Sequence, residues 1–413
     1  MTVPKPSARH RTSLAASLAL AAVLGAGCAA DGGGSAGGPP PSAPPPHGHV
    51  PGAEESAEQQ SRLVLNDPAS GQTRVLDLVT GQTHDVPPVE GATALTTDGR
   101  FGYFRTDDGL SVLDAGAWAV DHGDHVHYYR ADIRTVGRIP AGKDAGVRGY
   151  ASVTAVTTEG EGAALYRRDD LEHGRIGAGR DLAGRYAAVI PFREHLVAVP
   201  GAEGAGVRVL DRAGEETASL ETPCREPRGD AVTRRGVVLG CADGAVLVRA
   251  EGADFEAVEI PYPDGVPEAE RATDFRLRPG SDTLTALAGD AAVWVLDVTD
   301  RTWRRVETGP VLAANTAGEG APLLALGTDG TLRGFDVASG RRTAQAALNA
   351  LPEPAGARAG EPGAPVIAVD DSRAYVSDPA GRRVAEIDHH DSLRLARTFE
   401  LDIRPGLMVE TGR

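Results

Sequence analysis

Residues 121–129 are the part of this 413-residue chain best suited to chemistry: they read Asp-His-Gly-Asp-His-Val-His-Tyr-Tyr. Three of the chain's eleven histidines and two aspartates lie in this short stretch. Neutral imidazole is the most common transition-metal ligand, and imidazole with carboxylate suits zinc, nickel or copper better than magnesium or calcium. The composition therefore indicates a transition-metal site.

The spacing within this stretch also favours a metal site. If residues 125–128 are extended, His125 and His127 project from the same face, because side chains alternate along a strand. Gly123 permits a turn just before them, which can bring the preceding side chains to the same place. Three imidazoles and one carboxylate would complete a four-coordinate shell. From the spacing, the candidate ligands are His122, His125 and His127 with a carboxylate from Asp121 or Asp124.

Two further histidine pairs are weaker candidates for accessory metal ligands. His47-Gly-His49 lies in a low-complexity segment, where a chance pair is the simpler reading. His389 and His390 are adjacent, and adjacent residues on a strand point to opposite faces, so we expect a turn there first. The remaining histidines of the mature chain occur singly and predict surface or hydrogen-bonded core residues: His84, His173 and His195.

The N-terminal residues have the pattern of an export signal. A basic region with Lys5, Arg9 and Arg11 precedes an apolar run from residue 14 to 24 that is too short to anchor in a bilayer. The small-residue zone before Cys28 resembles a bacterial lipobox, which predicts a signal peptide at 1–27 and a lipid anchor at Cys28. The expected location is the outer face of the cytoplasmic membrane, and secretion with a free Cys28 is the alternative.

Residues 28–60 predict a disordered tether that carries His47 and His49. The segment is rich in glycine, then in proline, then in polar residues, and such a composition cannot bury a core. A propeller domain is predicted to follow at 61–413.

The charge balance argues against nucleic acid as a partner. The formal net charge is −16, and cleavage before Cys28 removes three cations and no acids, which gives −19. Nucleic-acid binding requires clustered cations. Apart from a lipid at Cys28, the same charge disfavours contact with an anionic membrane, and we expect a monomer. Cys224 and Cys241 are expected to form a disulfide in an oxidising compartment.

From residue 61 the chain consists of short apolar runs separated by turn signals, without a long helical period. The runs recur in units that begin near 93, 152, 186, 230, 274, 311 and 364. A period of about 45 residues is typical of a four-stranded propeller blade. The fold class is therefore predicted as all-β, a β-propeller.

The two ends of this region complete the predicted ring. Residues 61–86 contain three strand-like runs, and residues 407–410 can supply the fourth strand of the same blade. Such closure removes exposed sheet edges. It favours eight blades, with seven as the alternative. The unit at 93–150 is overlong, and its excess holds the histidine cluster, as expected for a binding insertion on a rigid frame.

Taken together, these features resemble the AztD-type zinc metallochaperones. The resemblance covers the mature chain and rests on the export signal, the arm with His47 and His49, and above all the motif at 121–129. It implies zinc as the bound metal and the solute-binding protein of a zinc ABC importer as the partner. It also implies that the ligands are His122, Asp124, His125 and His127.

A second function class remains open from the residues alone. Propellers also host enzymes, so the motif is compatible with a metal-dependent, lactonase-like hydrolase in which Asp121 or Asp124 acts as base. We expect a carrier site to be accessible on the surface and a catalytic site to lie in a pocket.

Overall fold

The computed structural model describes residues 50–348 and 358–413, apart from residues 51, 123, 151, 159, 202–205, 253 and 264. Strands dominate the described chain. In order, the first strands are β1 (Glu54–Ser56), β2 (Arg62–Asn66), β3 (Thr73–Asp77), β4 (Thr83–Val86), β5 (Ala94–Thr97), β6 (Phe101–Thr106), β7 (Gly109–Asp114), β8 (Ala117–Asp121), β9 (Val126–Arg130), β10 (Arg134–Ile139), β11 (Gly146–Tyr150), β12 (Val153–Thr158), β13 (Gly162–Arg167), β14 (Arg180–Leu182), β15 (Tyr186–Phe192), β16 (His195–Pro200) and β17 (Gly206–Asp211). The later strands are β18 (Glu216–Pro223), β19 (Asp230–Val232), β20 (Val237–Cys241), β21 (Gly244–Glu251), β22 (Asp254–Pro261), β23 (Thr283–Ala288), β24 (Ala292–Asp297), β25 (Thr302–Glu307), β26 (Val311–Thr316), β27 (Leu323–Gly327), β28 (Thr331–Phe335), β29 (Arg342–Ala347), β30 (Ile367–Val369), β31 (Arg373–Asp378), β32 (Arg383–Asp388), β33 (Arg394–Glu400) and β34 (Leu407–Thr411).

Helix is limited to short connections in the part of the chain that the structure describes. There, one α-helix, α1 (Arg168–Glu172), follows β13, and one 3-10 turn covers Glu268–Glu270. Within the described ranges, no helix is long and apolar enough to cross a membrane.

The strands form an eight-bladed β-propeller, as the repeat predicted. Seven four-stranded antiparallel sheets and the three-stranded sheet β23-β24-β25 make up the blades among the described residues. In the three-stranded blade, an isolated bridge between Arg276 and Thr285 occupies the place of the innermost strand. The predicted unit starts at 186, 230 and 311 coincide with the first residues of β15, β19 and β26. The predicted start at 152 is wrong, because β11 (Gly146–Tyr150) already forms the first strand of that sheet.

The chain closes its ring through a shared blade. β34 pairs antiparallel with β2, from Arg62 opposite Thr411 to Asn66 opposite Leu407, and β3 and β4 complete the sheet. The predicted sharing of one blade between the two ends of the domain is confirmed.

The core lies between neighbouring blades, which explains why the strands are apolar on both faces. On β2, Leu63 and Leu65 pack toward Val384 of the preceding blade. Val64, on the other face, packs with Phe104 of the following blade. Side chains alternate along a strand, so a strand buried on both faces is a continuous apolar run and not an alternating one.

One sheet departs from the repeated pattern and carries the histidine cluster. The chain leaves its blade after β7, forms the hairpin β8–β9, and returns as β10, which pairs with β7. The hairpin is extended by β1, giving a three-stranded sheet in the order β1-β9-β8. Residues 54–56 lie in the segment predicted as a disordered tether, so the ordered region begins before the predicted boundary at residue 61.

The two internal cysteines form the expected disulfide. The Cα atoms of Cys224 and Cys241 are 5.2 Å apart and the residues are 17 positions apart in sequence. Cys224 follows the last strand of one blade and Cys241 ends a strand of the next, so the bond links neighbouring blades. Because disulfides persist in oxidising compartments, this bond indicates an extracytoplasmic protein.

Candidate metal centre

The hairpin β8–β9 brings the three histidines of the motif together. Asp121 is the Cα partner of Val126 and Val120 is that of His127, so the connection between the strands carries His122, Asp124 and His125. The backbone N–H of His122 donates a hydrogen bond to the carbonyl of His125 at 3.0 Å, which closes this turn. The tight turn places residues early and late in the motif on one side.

The ligand atoms of His122, His125 and His127 all lie within 4.8 Å of one another. The closest pair is Nε2 of His125 and Nε2 of His127, at 3.1 Å. Two nitrogens bound to one tetrahedral zinc ion, each at about 2.0–2.1 Å, are separated by about 3.3 Å. The donor set therefore fits zinc with a shift of about 1.5 Å or less in the exposed imidazoles.

Asp124 lies against one of the predicted ligands. Its Oδ1 lies 2.8 Å from Nδ1 of His125, and the three histidines form the converging group without it. Asp124 thus contacts a candidate ligand, and its own place in the metal shell stays a prediction.

Glu55, in β1, is a member of the site that the sequence did not indicate. Its Oε1 lies 2.6 Å from Nδ1 of His127. The residue is 72 positions away in sequence and is brought to the hairpin by the pairing of β1 with β9, in which Glu55 is opposite Tyr129. No local motif marks this glutamate in the sequence.

The two carboxylates determine which ring nitrogens face the cluster. A carboxylate accepts a hydrogen bond, so Nδ1 of His125 and Nδ1 of His127 donate to Asp124 and Glu55. Each Nε2 then keeps its lone pair for a metal ion. Such carboxylate–histidine pairs orient the imidazole and raise its basicity as a ligand.

A small buried cluster supports the hairpin from below. Val50, Trp118 and Tyr129 form it, with three alanine and valine side chains packed against it. The rings of Trp118 and Tyr129 stack with centroids 5.4 Å apart, and His127 stacks on Tyr129 at 6.3 Å. The guanidinium of Arg100 lies 3.7 Å from the centroid of the Trp118 ring. This column of stacked side chains, from His127 through Tyr129 and Trp118 to Arg100, connects the metal site to the propeller.

Burial and nearby charges act on two side chains beneath the histidines, Arg100 and Tyr129. Arg100 is itself buried and pairs with Asp114 through two hydrogen bonds, at 2.8 and 3.2 Å. Burial first, and the carboxylate of Glu55 second, raise the pKa of the Tyr129 phenol above its usual value. Tyr129 therefore stays neutral, and its ring remains an apolar support for His127.

The three histidines lie at the surface. The side chains of His125 and His127 are 55% and 25% exposed, and His122 is also exposed. The central cavity of the propeller, of about 540 Å³, is lined by other residues, among them the ion pairs Arg148–Asp230 and Arg276–Asp274. The candidate metal site is therefore open to a partner and lies outside this pocket.

His389 and His390 make contacts away from this site. Nε2 of His389 lies 3.3 Å from the Asp370 carbonyl, and Nε2 of His390 lies 3.0 Å from the Asp371 carbonyl. A carbonyl accepts, so both nitrogens donate and the pair fixes a turn. Within the described ranges it forms no group of three ligand side chains. Cys28, His47 and His49 lie outside the described residues.

Comparison with known proteins shows the fold. No family model matches the chain, and no curated protein matches it. A crystal structure of AztD from Citrobacter koseri is similar, with a TM-score of 0.70, 18% identity and coverage of 86% of this chain and 98% of that one. The apo form of AztD from the same organism gives a TM-score of 0.69 at 17% identity, with the same coverage. The dihydro-heme d1 dehydrogenase NirN gives 0.55 at 13%, covering 86% of this chain and 76% of that one. The chain therefore has an AztD-like propeller fold.

Proposed function

We propose that this protein is an extracytoplasmic zinc metallochaperone, which holds one zinc ion on the hairpin β8–β9 and passes it to the solute-binding protein of a zinc ABC importer. The observation that carries the proposal is the convergence of His122, His125 and His127 on an exposed hairpin, with Nδ1 of two of them bound to carboxylates. The likeness of the fold to AztD and the resemblance of the motif at 121–129 to AztD-type zinc metallochaperones support it.

An exposed site with three imidazoles suits transfer. Tetrahedral zinc takes a fourth ligand, and a surface site allows that ligand to come from water or from an incoming protein. A partner side chain that binds before the first imidazole leaves would let the ion move without release into bulk water. The negative charge of the chain, −16 over 413 residues, also attracts a cation.

The proposal includes the N-terminal residues. Residues 1–27 act as the signal peptide and Cys28 carries the lipid anchor, which would hold the protein at the membrane beside the importer. His47 and His49 then provide two imidazoles on a tether, which raises their local concentration near the hairpin without a new permanent site. The protein acts as a monomer.

The hydrolase alternative shares the three-imidazole set, because a catalytic zinc also keeps three protein ligands and an open position. Two observations favour the carrier. His122 and His125 are exposed, His127 is half-buried, and none of the three lines the central cavity. Asp124, one of the two expected bases, lies against Nδ1 of His125. The hydrolase reading predicts zinc-dependent cleavage of an activated ester or lactone by the wild type.

Zinc binding by the mature chain is the direct test. We expect close to one tightly bound zinc ion per chain, measured by metal analysis after dialysis and by competition with a chromogenic chelator. Because H125A/H127A removes two ligands that lie outside the cores between the blades, it should abolish binding and leave the circular dichroism spectrum and melting temperature unchanged. The control H84A/H173A removes two single histidines elsewhere and should bind as the wild type does.

The outcomes of this test are distinct. Unchanged zinc stoichiometry in H125A/H127A would refute the assignment of the zinc site to the hairpin. Transfer is tested by mixing zinc-loaded protein with an apo solute-binding protein. We expect the ion to arrive faster than it dissociates into an excess of chelator. H47A/H49A should slow this delivery and keep the zinc affinity. Equal delivery rates in H47A/H49A and the wild type would show that the two histidines have no role in transfer.

A further inference from the structure

The strand β1 contributes two neighbouring glutamates that point to opposite sides of the three-stranded sheet. Glu54 is paired with Arg130 and Glu55 with Tyr129 across the sheet. The carboxylate of Glu54 forms a salt bridge with the Arg130 guanidinium at 2.8 Å, and Glu55 reaches His127 on the opposite face. Because adjacent side chains alternate on a strand, only one of the two can serve the metal site.

We propose that Glu55 is a positioning residue of the zinc site, and that docking of β1 on the hairpin and zinc binding are coupled. This inference rests on the proposed function. It assigns to the N-terminal segment a role in building the site, distinct from that of the predicted ligands. Glu55 acts through the ring of His127 and does not touch the ion.

The hydrogen bond between Nδ1 of His127 and Glu55 Oε1, at 2.6 Å, has the length of a charge-assisted contact. It holds the ring in the tautomer whose Nε2 is a lone-pair donor, and that Nε2 lies 3.1 Å from Nε2 of His125. A bound cation polarises the imidazole, so its Nδ1–H becomes a stronger donor and the contact with Glu55 strengthens.

The strand itself is held by few other interactions. It has three residues, two of them exposed, and pairs with β9 over three positions. Just before it, Val50 and Ala53 pack on the small cluster around Trp118. An element held by so few buried contacts opens locally at low free energy. One added strong hydrogen bond therefore changes its docked population, and by linkage the docked strand strengthens zinc binding by the same factor.

The variant pair E55A and E54A tests the proposal in the mature full-length chain. Both remove one partly exposed glutamate from the same strand, and only E55A removes the partner of His127. We expect E55A to weaken zinc binding by about 10- to 100-fold, the usual effect of losing a partner of a metal-binding histidine. E54A should stay within about twofold, since exposed ion pairs contribute little. E55D, which keeps a carboxylate, should recover part of the affinity.

Two further readouts separate positioning from a general structural role. Zinc should slow amide exchange at residues 54–56 in the wild type and in E54A, and should lose that effect in E55A. The visible spectrum of the cobalt-substituted protein should remain that of a tetrahedral site in E55A, because the ligands are unchanged. If the spectrum of E55A instead indicated a different coordination number from that of the wild type, Glu55 would be a ligand and the proposal would be overturned.

Equal zinc affinity in E55A and E54A would also refute it. If H125A/H127A abolishes zinc binding while E55A behaves as E54A does, the proposed function stands and the role of Glu55 falls. If the wild type itself binds no zinc, both fall.

Discussion

Replacing Trp118 with alanine should weaken zinc binding while leaving the propeller as stable as before. The Trp118 side chain is 5% exposed and belongs to a small cluster with Val50 and Tyr129 that is separate from the cores between the blades. Loss of a buried tryptophan costs about 3–5 kcal/mol. Since the contacts of Trp118 support the hairpin, this loss should reduce the free energy with which the hairpin docks on the propeller.

The expected change in affinity follows from the docked fraction. If the hairpin docks with about 2 kcal/mol, a local stability within the usual range, the variant prefers the undocked state by about 1–3 kcal/mol. The docked fraction then falls to between about 15% and below 1%. Apparent affinity scales with the competent fraction, so the dissociation constant for zinc should rise by about 6- to 150-fold.

Trp303 provides the matched control. It is also nearly buried, its indole N–H donates to the Ile260 carbonyl at 2.9 Å, and its ring packs against Tyr262 with centroids 4.8 Å apart in a core between blades. W303A should lower the melting temperature and keep the zinc affinity. W118A should keep the melting temperature and weaken zinc binding. Chelator competition and thermal unfolding of the metal-free proteins measure the two effects. Wild-type affinity in W118A would refute the argument that this column positions the histidines.

Two further predictions concern stability. Replacing Cys224 and Cys241 with alanine opens a loop of 17 residues and should lower the free energy of unfolding by about 3 kcal/mol in the chain-entropy account; urea denaturation that gives no difference would contradict it. Burial lowers the pKa of His389 from its ordinary 6.5, with His390 acting in the same direction and Asp370 and Asp388 opposing it. The unfolded chain then binds a proton more readily, so the contribution of His389 is complete above pH 6.5 and is lost as the pH falls below that value. H389L should lose less stability than the wild type between pH 7 and pH 5, and equal losses would show that this histidine does not titrate as described.

The propeller could be predicted because its signal is repeated. Each blade contains similar apolar runs and turns, so an error in one unit does not disturb the whole. The start at 152 failed where the first strand, Gly146–Tyr150, is rich in glycine and lacks an apolar run. Closure at 407–410 was predictable because the three strand-like runs at 61–86 left a blade with one strand missing, and the run at 407–410 belonged to no other blade.

The candidate site was predictable only as far as it is local. His122, His125 and His127 lie in one turn and hairpin, and their spacing contains the geometry that brings them together. The role of Asp124 depends on the conformation of the turn, which composition does not determine. Glu55 reaches the site through pairing between strands 72 positions apart in sequence, and such pairing has no signature in a segment of this composition.

The hairpin β8–β9 leaves its blade and returns to it at residues that are already neighbours. Asp114, at the end of β7, is the Cα partner of Arg134, at the start of β10. A tight turn joining these two residues would restore an ordinary four-stranded blade, so the segment between them is a cassette that the ring does not need for closure. Such a cassette could be gained, lost or grafted onto another propeller without changing the strand order. Its recipient would inherit the three imidazoles and the Asp124 carboxylate, but would have to provide a counterpart to Glu55, which remains behind in β1.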